Sequence, residues 1–433
     1  MKKDVQTRIV LMSGVAMAIF VLALAGVFAG ENDDQVPDTC NNNVCDDTDV
    51  FFCPSDCQFQ PQPPAPTPTP TPPSPTPNPQ PQPQPQPQPP APSPSPTPSG
   101  ERDVLKQPFA SSSIWNRPIG SLAQSVPADI KPKGSPITAD QDIISNAFSA
   151  PLTGVYVNTA DWSGANRCSI QGGKMYDVPF PSGFVIPNSR ENNGVAFLLA
   201  DKRTYKQTQP VARCSAGSPI TSHYNFPDSD IYGDGIRGAH GGSGMSVIGG
   251  ALRTGELRKG STIKHALKCN LNGNVDMSSD NNGFTFPAVK ADSGYNQNGN
   301  YNYYGGDNPY VHMGSLLMLP EGEFNNLNFE TEAGRIMATA FRDYGCYVVD
   351  NTGYDGNAIG VAWEADASGN LHRFEDEFDN EWGFEFESKG NGWSRDIQKI
   401  FTTAHVVTNN AANQVAAGGG LPRVPLAPEV SPP

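Results

Sequence analysis

No stretch of the chain gathers lysine and arginine: 29 basic residues stand against 44 acidic ones, for a formal net charge of −15. A duplex or single strand needs a basic stripe to hold its phosphates, so nucleic acid is excluded as an expected partner. Histidine is scarce, at six residues, and no two have the H-x-H or H-x-x-x-H spacing of a local transition-metal site. His223, His240, His265 and His312 could meet only through the fold. The phosphate-loop and dinucleotide fingerprints are missing. The serine-nucleophile turn also fails, because Gly241-Gly242-Ser243-Gly244-Met245 lacks the closing glycine and no helix pattern succeeds it. An N-x-[ST] acceptor for N-linked sugar is absent as well.

One long apolar run is present, uncharged over residues 9–29, with Lys2, Lys3 and Arg8 before it and Glu31, Asp33 and Asp34 after it. Positive charge before and acid after sends the rest of the chain across a membrane. The length suits a single span, and Val27 and Ala29 offer small residues for cleavage. Signal peptide and retained anchor therefore both stand for residues 1–30. Either one predicts an extracellular or cell-surface protein whose contact with the membrane is confined to that segment.

An exported chain with eight cysteines is expected to form disulfides. Cys40, Cys45, Cys53 and Cys57 crowd into residues 31–58, a segment too short to bury a core without covalent staples. Its CNNNVCDDTDVFFCPSDC resembles a short C-P-x-D-C module of exported proteins, which implies no activity. Residues 59–100 are almost all Pro, Gln, Thr and Ser. They predict an extended tether at about 3.1 Å per residue.

Residues 101–428 are globular in composition, with a short tail at 429–433, and no linker divides them. Short apolar runs between Gly, Asn, Asp and Pro turns predict strands near 154–157, 194–199, 262–270, 311–319, 346–349 and 358–363. Helical spacing appears at 332–344, stopped by Gly345, and again after Ser394 as the N-cap. The expected class is mainly β, sandwich-like, or α+β, with two packed helices in the last third. Of the cysteines in this region, Cys168 with Cys214 and Cys269 with Cys346 are the expected pairs by chain proximity.

Chemistry concentrates in two stretches. The first, residues 228–270, holds ten glycines around Arg237, His240 and Ser243, a composition that builds irregular loops. Asp228, Asp230 and Asp234 sit together there and suggest a calcium site, although the EF-hand pattern is incomplete. Alternation over TIKHALKCN places His265 on the apolar face of a strand. A buried neutral imidazole and a general acid or base are both open readings for it, and for His312. The second stretch, 363–387, is rich in acids beside aromatic residues, the raw material of glycoside hydrolysis. Glu381 and Glu385 flank Trp382, with Glu256 and Asp350 as further candidates. Trp363, Trp382 and Trp393 are candidate platforms for sugar rings. A solvated acidic loop accounts for the same residues.

The segments PFASSSIWNRPIG, HGGSGMSVIGGALRTGEL with IKHALK, AFRDYGCYVVDN and GGGLPRVPLAP, spanning residues 107–428, resemble a family of uncharacterised exported bacterial proteins often found beside carbohydrate-binding modules. That resemblance implies polysaccharide as the target and marks Arg237, His240, Glu256 and His265 for mutagenesis. The chain departs from it in extra cysteines and in the insert NQNGNYNYYGGDN. The expected function is an extracellular polysaccharide-directed enzyme, a glycoside hydrolase or polysaccharide lyase. A non-catalytic carbohydrate-binding or adhesive surface protein, and a self-assembling surface component, are the alternatives.

Overall fold

The computed structural model describes residues 102–160, 162, 166–189 and 191–432. The expected export segment, the Cys40, Cys45, Cys53 and Cys57 module and the tether lie outside the described residues, which belong to one compact unit. Among the described residues, no helix is long and apolar enough to cross a membrane.

The strands are β1 (Ser125–Pro127), β2 (Thr138–Ser145), β3 (Leu152–Val157), β4 (Lys174–Pro179), β5 (Gly194–Leu198), β6 (Thr204–Ala212) and β7 (Ile220–Asn225), followed by β8 (Ser229–Asp230), β9 (Leu267–Leu271), β10 (Leu316–Met318), β11 (Cys346–Asn351), β12 (Ala358–Ala365), β13 (Leu371–Arg373) and β14 (His405–Val407). They join into one mixed sheet, ordered β1-β14-β10-β11-β9-β12-β2-β5-β6-β7-β3-β4, with β13 on β12 and β8 on β6. The fold is mainly β with α+β character, and its sheet is one hydrogen-bonded path.

Strand alternation divides the interior. Successive side chains point to opposite faces, so Ile143, Val195 and Phe197 enter one core cluster while Ile144, Ala196 and Leu198 enter another. The second cluster is the larger and carries the helices α1 (Gly273–Asp276), α2 (Glu321–Asn326), α3 (Glu332–Asp343), α4 (Phe374–Trp382) and α5 (Gly392–Thr403). The two longest pack together, with the Phe341 and Phe401 rings 5.6 Å apart, edge to face. The Thr331 side chain caps α3 by accepting from Gly334 N–H at 2.9 Å. For α5 the cap is Asn391, which accepts from Ser394 N–H at 2.8 Å; Ser394, expected as the cap, lies inside the first turn.

Three further expectations are corrected. The strand expected at 262–270 begins at Leu267, leaving His265 in the preceding bend. The acidic stretch is no single loop: it closes β12, forms β13 and then the helix α4, whose first turn carries Glu375, Asp376 and Glu377. Acids there face the positive end of the helix dipole. Cys168 and Cys214 form a disulfide, whereas Cys269 and Cys346 are buried free thiols on the parallel neighbours β9 and β11.

Candidate active site

Two acids two residues apart in a strand share a face, and β2 places Asp140 and Asp142 that way in the middle of the sheet, with β12 and β5 as parallel neighbours. Both are buried. The β12 residue opposite Asp140 is Gly360, where a Cβ would lie 2.6 Å from Lys268 Cε and 3.0 Å from Asp142 Oδ2. Its missing side chain lets Lys268, from β9, reach across to Asp142, with Nζ 2.7 Å from Oδ2. Lys268 also donates to the Val247 carbonyl at 2.6 Å. Each of these two charges would be costly alone in the core, and each is met by the other.

His240 enters from the glycine-rich loop. Its Nε2 lies 3.1 Å from Asp142 Oδ1 and its Nδ1 lies 3.9 Å from Asp350 Oδ2. Burial and the Lys268 charge oppose protonation of the imidazole. Asp142 and Asp350 outweigh them and raise its pKa to about 9, so it is an imidazolium at neutral pH. Neither ring nitrogen makes a well-aligned hydrogen bond. Asp140 is pushed up to about 6, first by burial, with Asp142 and Asp350 adding to it and His240 opposing. Asn270 donates to Asp140 at 2.8 Å, and Asn192 Nδ2 reaches both Asp140 and Asp350 Oδ2 at 3.2 Å.

Asp350 sits where the pairing of β11 with β9 shifts register, the kind of irregularity that re-aims a side chain. Above it, Gly242 allows a close approach. A Cβ on Gly242 would lie 2.7 Å from Asp350 Oδ1 and 2.9 Å from Asp292 Oδ1. The two carboxylate oxygens therefore stand no farther apart than those two short distances together. Asp292 is half-buried and is held by the Tyr304 hydroxyl, which donates to Oδ2 at 2.7 Å. Burial, then the Asp350 charge, pushes the Asp292 carboxyl up to about 7. Like charges at short range favour the protonated form, and here the Asp350 charge does so for Asp292.

Asp140, His240 and Asp350 bring one donor atom each within 4.8 Å, a spacing open to a metal ion. Lys290 adds a further cation beside Asp292 and Asp350, with its own pKa lowered by burial.

The rim is aromatic. Trp162 Nε1 donates to Asn192 Oδ1 at 3.0 Å, and its ring stacks on Tyr224 with centroids 6.2 Å apart and planes 20° apart. His223 in turn stacks on Tyr224 at 3.9 Å.

Of the residues marked in the sequence, His240 and Asp350 fall in this centre. Glu256 and His265 form their own pair, 3.0 Å apart, where His265 is buried. Arg237 is exposed, and what it contributes locally is its carbonyl, an acceptor for Gln207 and Ser229. Ser243 is fully buried and accepts from Met245 N–H. Glu381 accepts from Lys259 N–H at 3.2 Å, and Glu385 is exposed beyond α4. Among the tryptophans, Trp393 is 0 % exposed and donates to the Phe386 carbonyl. Trp363 is tied to Glu375 and Trp382 to the Leu257 carbonyl. Those three serve packing rather than presenting open faces. Asp228 pairs with Lys206, Asp230 with Arg203, and Asp234 accepts from Ile236 N–H. They do not converge into a calcium site. His312 is buried in the turn before β10.

Asp140, Asp142, Asp292 and Trp162 do not stand out in the sequence. The signal for the first two is the strand pattern TADQDIIS, with acids at alternate positions running into isoleucines. No local signal marks Asp292 or Trp162. Comparison of the chain with family models, with curated proteins and with solved structures gives no match.

Proposed function

We propose that the chain is an exported glycoside hydrolase acting on a polysaccharide, with Asp292 as proton donor and Asp350 as its partner carboxylate. The observation that carries this reading is the pair of carboxylates packed against Gly242, where a Cβ would lie 2.7 Å from Asp350 Oδ1 and 2.9 Å from Asp292 Oδ1. In retaining glycosidases the two carboxyls stand about 5–5.5 Å apart, against about 6.5–9.5 Å in inverting ones. The close pair here fits the retaining scheme. Asp292 would pass its proton to the glycosidic oxygen as Asp350 bonds to the anomeric carbon and the glycosidic bond breaks. Water would then attack that carbon, giving a proton back to Asp292 and freeing Asp350. The sum is one glycosidic bond and one water converted to two hydroxyl ends. The raised pKa of Asp292 suits a donor at neutral pH, and the His240 imidazolium offsets the charge of Asp350 within the buried centre.

A polysaccharide lyase fits less well. It needs a cation free to neutralise a uronate carboxylate, but Lys268 is held by Asp142 and His240 lies between Asp142 and Asp350. The exposed Trp162–Tyr224 stack supports the second reading, a carbohydrate-binding or adhesive surface protein. Incubating the full chain with neutral and acidic polysaccharides separates the three. New reducing ends are expected, lost in Asp350→Asn. Unsaturated products absorbing in the ultraviolet would instead make the protein a lyase, and binding without product would make it an adhesin.

A further inference from the structure

We infer that Trp162, Tyr224 and Gln209 form a subsite beside the carboxylate pair that takes an uncharged pyranose ring of a neutral polysaccharide. The inference names a substrate class for the proposed hydrolase and rests on that reading for the site of cleavage, though not for binding itself.

Three observations converge. First, Trp162 and Tyr224 are 37 % and 45 % exposed and lie nearly parallel, so an apolar surface stays open where most large aromatics of this protein are packed away. A pyranose ring presents axial C–H groups on one face, which match the electron-rich face of an aromatic ring. Second, a sugar also needs hydrogen-bond partners at its edge, and one waits there. Gln209 is 1 % exposed and its Oε1 has no hydrogen-bond partner. A buried acceptor left unmet is costly unless a ligand completes it. Gly241 joins the two: a Cβ there would lie 3.1 Å from Gln209 Oε1 and 3.7 Å from Trp162 Cη2. The strand register reinforces the grouping, since Gln209 of β6 pairs with Tyr224 of β7.

Third, the subsite is joined to the proposed reaction centre by one side chain. Asn192 accepts from Trp162 Nε1 and donates to Asp140 and Asp350. A ring stacked on Trp162 therefore lies one residue away from the carboxylates. The charges decide against a uronic acid there. The nearby cations already face acids: Lys268 faces Asp142, His240 faces Asp142 and Asp350, and Lys290 interacts with Asp292 and Asp350. A uronate would add negative charge where, among the described residues, these three cations are already matched by acids.

The test uses the full chain carrying Asp350→Asn, so that ligands are held without turnover. Calorimetric titration with cellohexaose, xylohexaose, mannohexaose, maltohexaose and hexagalacturonate gives the ligand class. Saturable binding of at least one neutral hexaose is expected, and none of the galacturonate. Adding Trp162→Ala should weaken that binding by about tenfold or more, as for a tryptophan at the centre of a contact. Trp162→Phe, which keeps a ring and controls for folding, should retain most of it. Gln209→Leu should weaken binding by several-fold. Failure of every neutral hexaose to bind, tighter binding of the galacturonate, or unchanged affinity in Trp162→Ala would overturn the subsite. If Trp162-dependent binding is found but the unmutated chain releases no reducing ends from the same hexaose, the subsite stands and the hydrolase reading falls.

Discussion

Two buried charge networks in this protein use the same residue types to different ends. One surrounds Glu364, where Arg253 Nη1 lies 2.6 Å from Oε1 and Lys106 Nζ lies 3.2 Å from Oε2. Beside it, His265 meets Glu256 through Nε2 and the Ala266 carbonyl through Nδ1. There each acid has a basic partner, and both nitrogens of the imidazole are met. The other network surrounds His240, where Asp140, Asp142, Asp350 and Asp292 crowd together, and where both His240 ring nitrogens lack aligned hydrogen bonds. The first balances its charges and closes. The second packs carboxylates closely together against Gly242, with the Asp140 and Asp292 carboxyls pushed up by burial and by neighbouring acids. Buried charge by itself does not mark a site; perturbed protonation among crowded carboxylates is the better marker.

That contrast can be broken most severely at Asp292. Asp292→Asn should lower kcat by about 10³-fold, within the usual range for a general acid, while the melting temperature holds or rises because a buried like-charge contact is gone. Activity within tenfold of the parent would remove Asp292 from the chemistry. The opposite pattern is expected in the closed network. Glu364→Gln leaves Arg253 buried without its carboxylate, and urea unfolding should show a loss of about 3–5 kcal/mol, with kcat of the folded fraction retained. A loss of kcat without a loss of stability would reverse the assignment of the two regions.

A smaller effect separates the histidines by pH. Burial opposes charge on His265, but Glu256 outweighs it and raises its pKa above the usual histidine value. A group whose pKa rises on folding contributes stability that is complete below its unfolded value, about 6.5, and fades as pH climbs through the folded one. Stability measured from pH 6 upward should therefore decline in the parent, and decline less steeply in Glu256→Gln. Equal slopes would show that the Glu256–His265 pair carries none of this dependence. The smallest effects belong to the exposed residues. Arg237→Ala and Glu385→Gln should each leave kcat/KM within about twofold, as surface positions usually do; a larger fall in either would extend the site toward it.

Much of the scaffold was legible because it is written in local patterns. The apolar stripe of α3 and its Gly345 stop, the runs of β5, β11 and β12, and the glycine-rich loop carrying His240 all stand where periodicity and turn residues put them. The site was legible only in pieces. Its carboxylates come from β2, from the loop at Asp292 and from β11, and only the sheet brings them together. Glu381 and Glu385 beside Trp382 made a plausible pair along the chain, yet α4 turns the Trp382 indole toward the Leu257 carbonyl. The insert NQNGNYNYYGGDN had no readable role, and it is the source of Tyr304, whose hydroxyl holds Asp292. Contacts of that kind leave no trace in spacing.

The most direct measurement is a carbon-13 NMR titration of the Asp292 carboxyl in the full chain, with and without Asp350→Asn. An Asp292 pKa near neutrality that falls clearly when the Asp350 charge is removed is the expected result. An Asp292 carboxyl that titrates at the ordinary aspartate value in both proteins would contradict the raised proton donor on which the proposed chemistry depends.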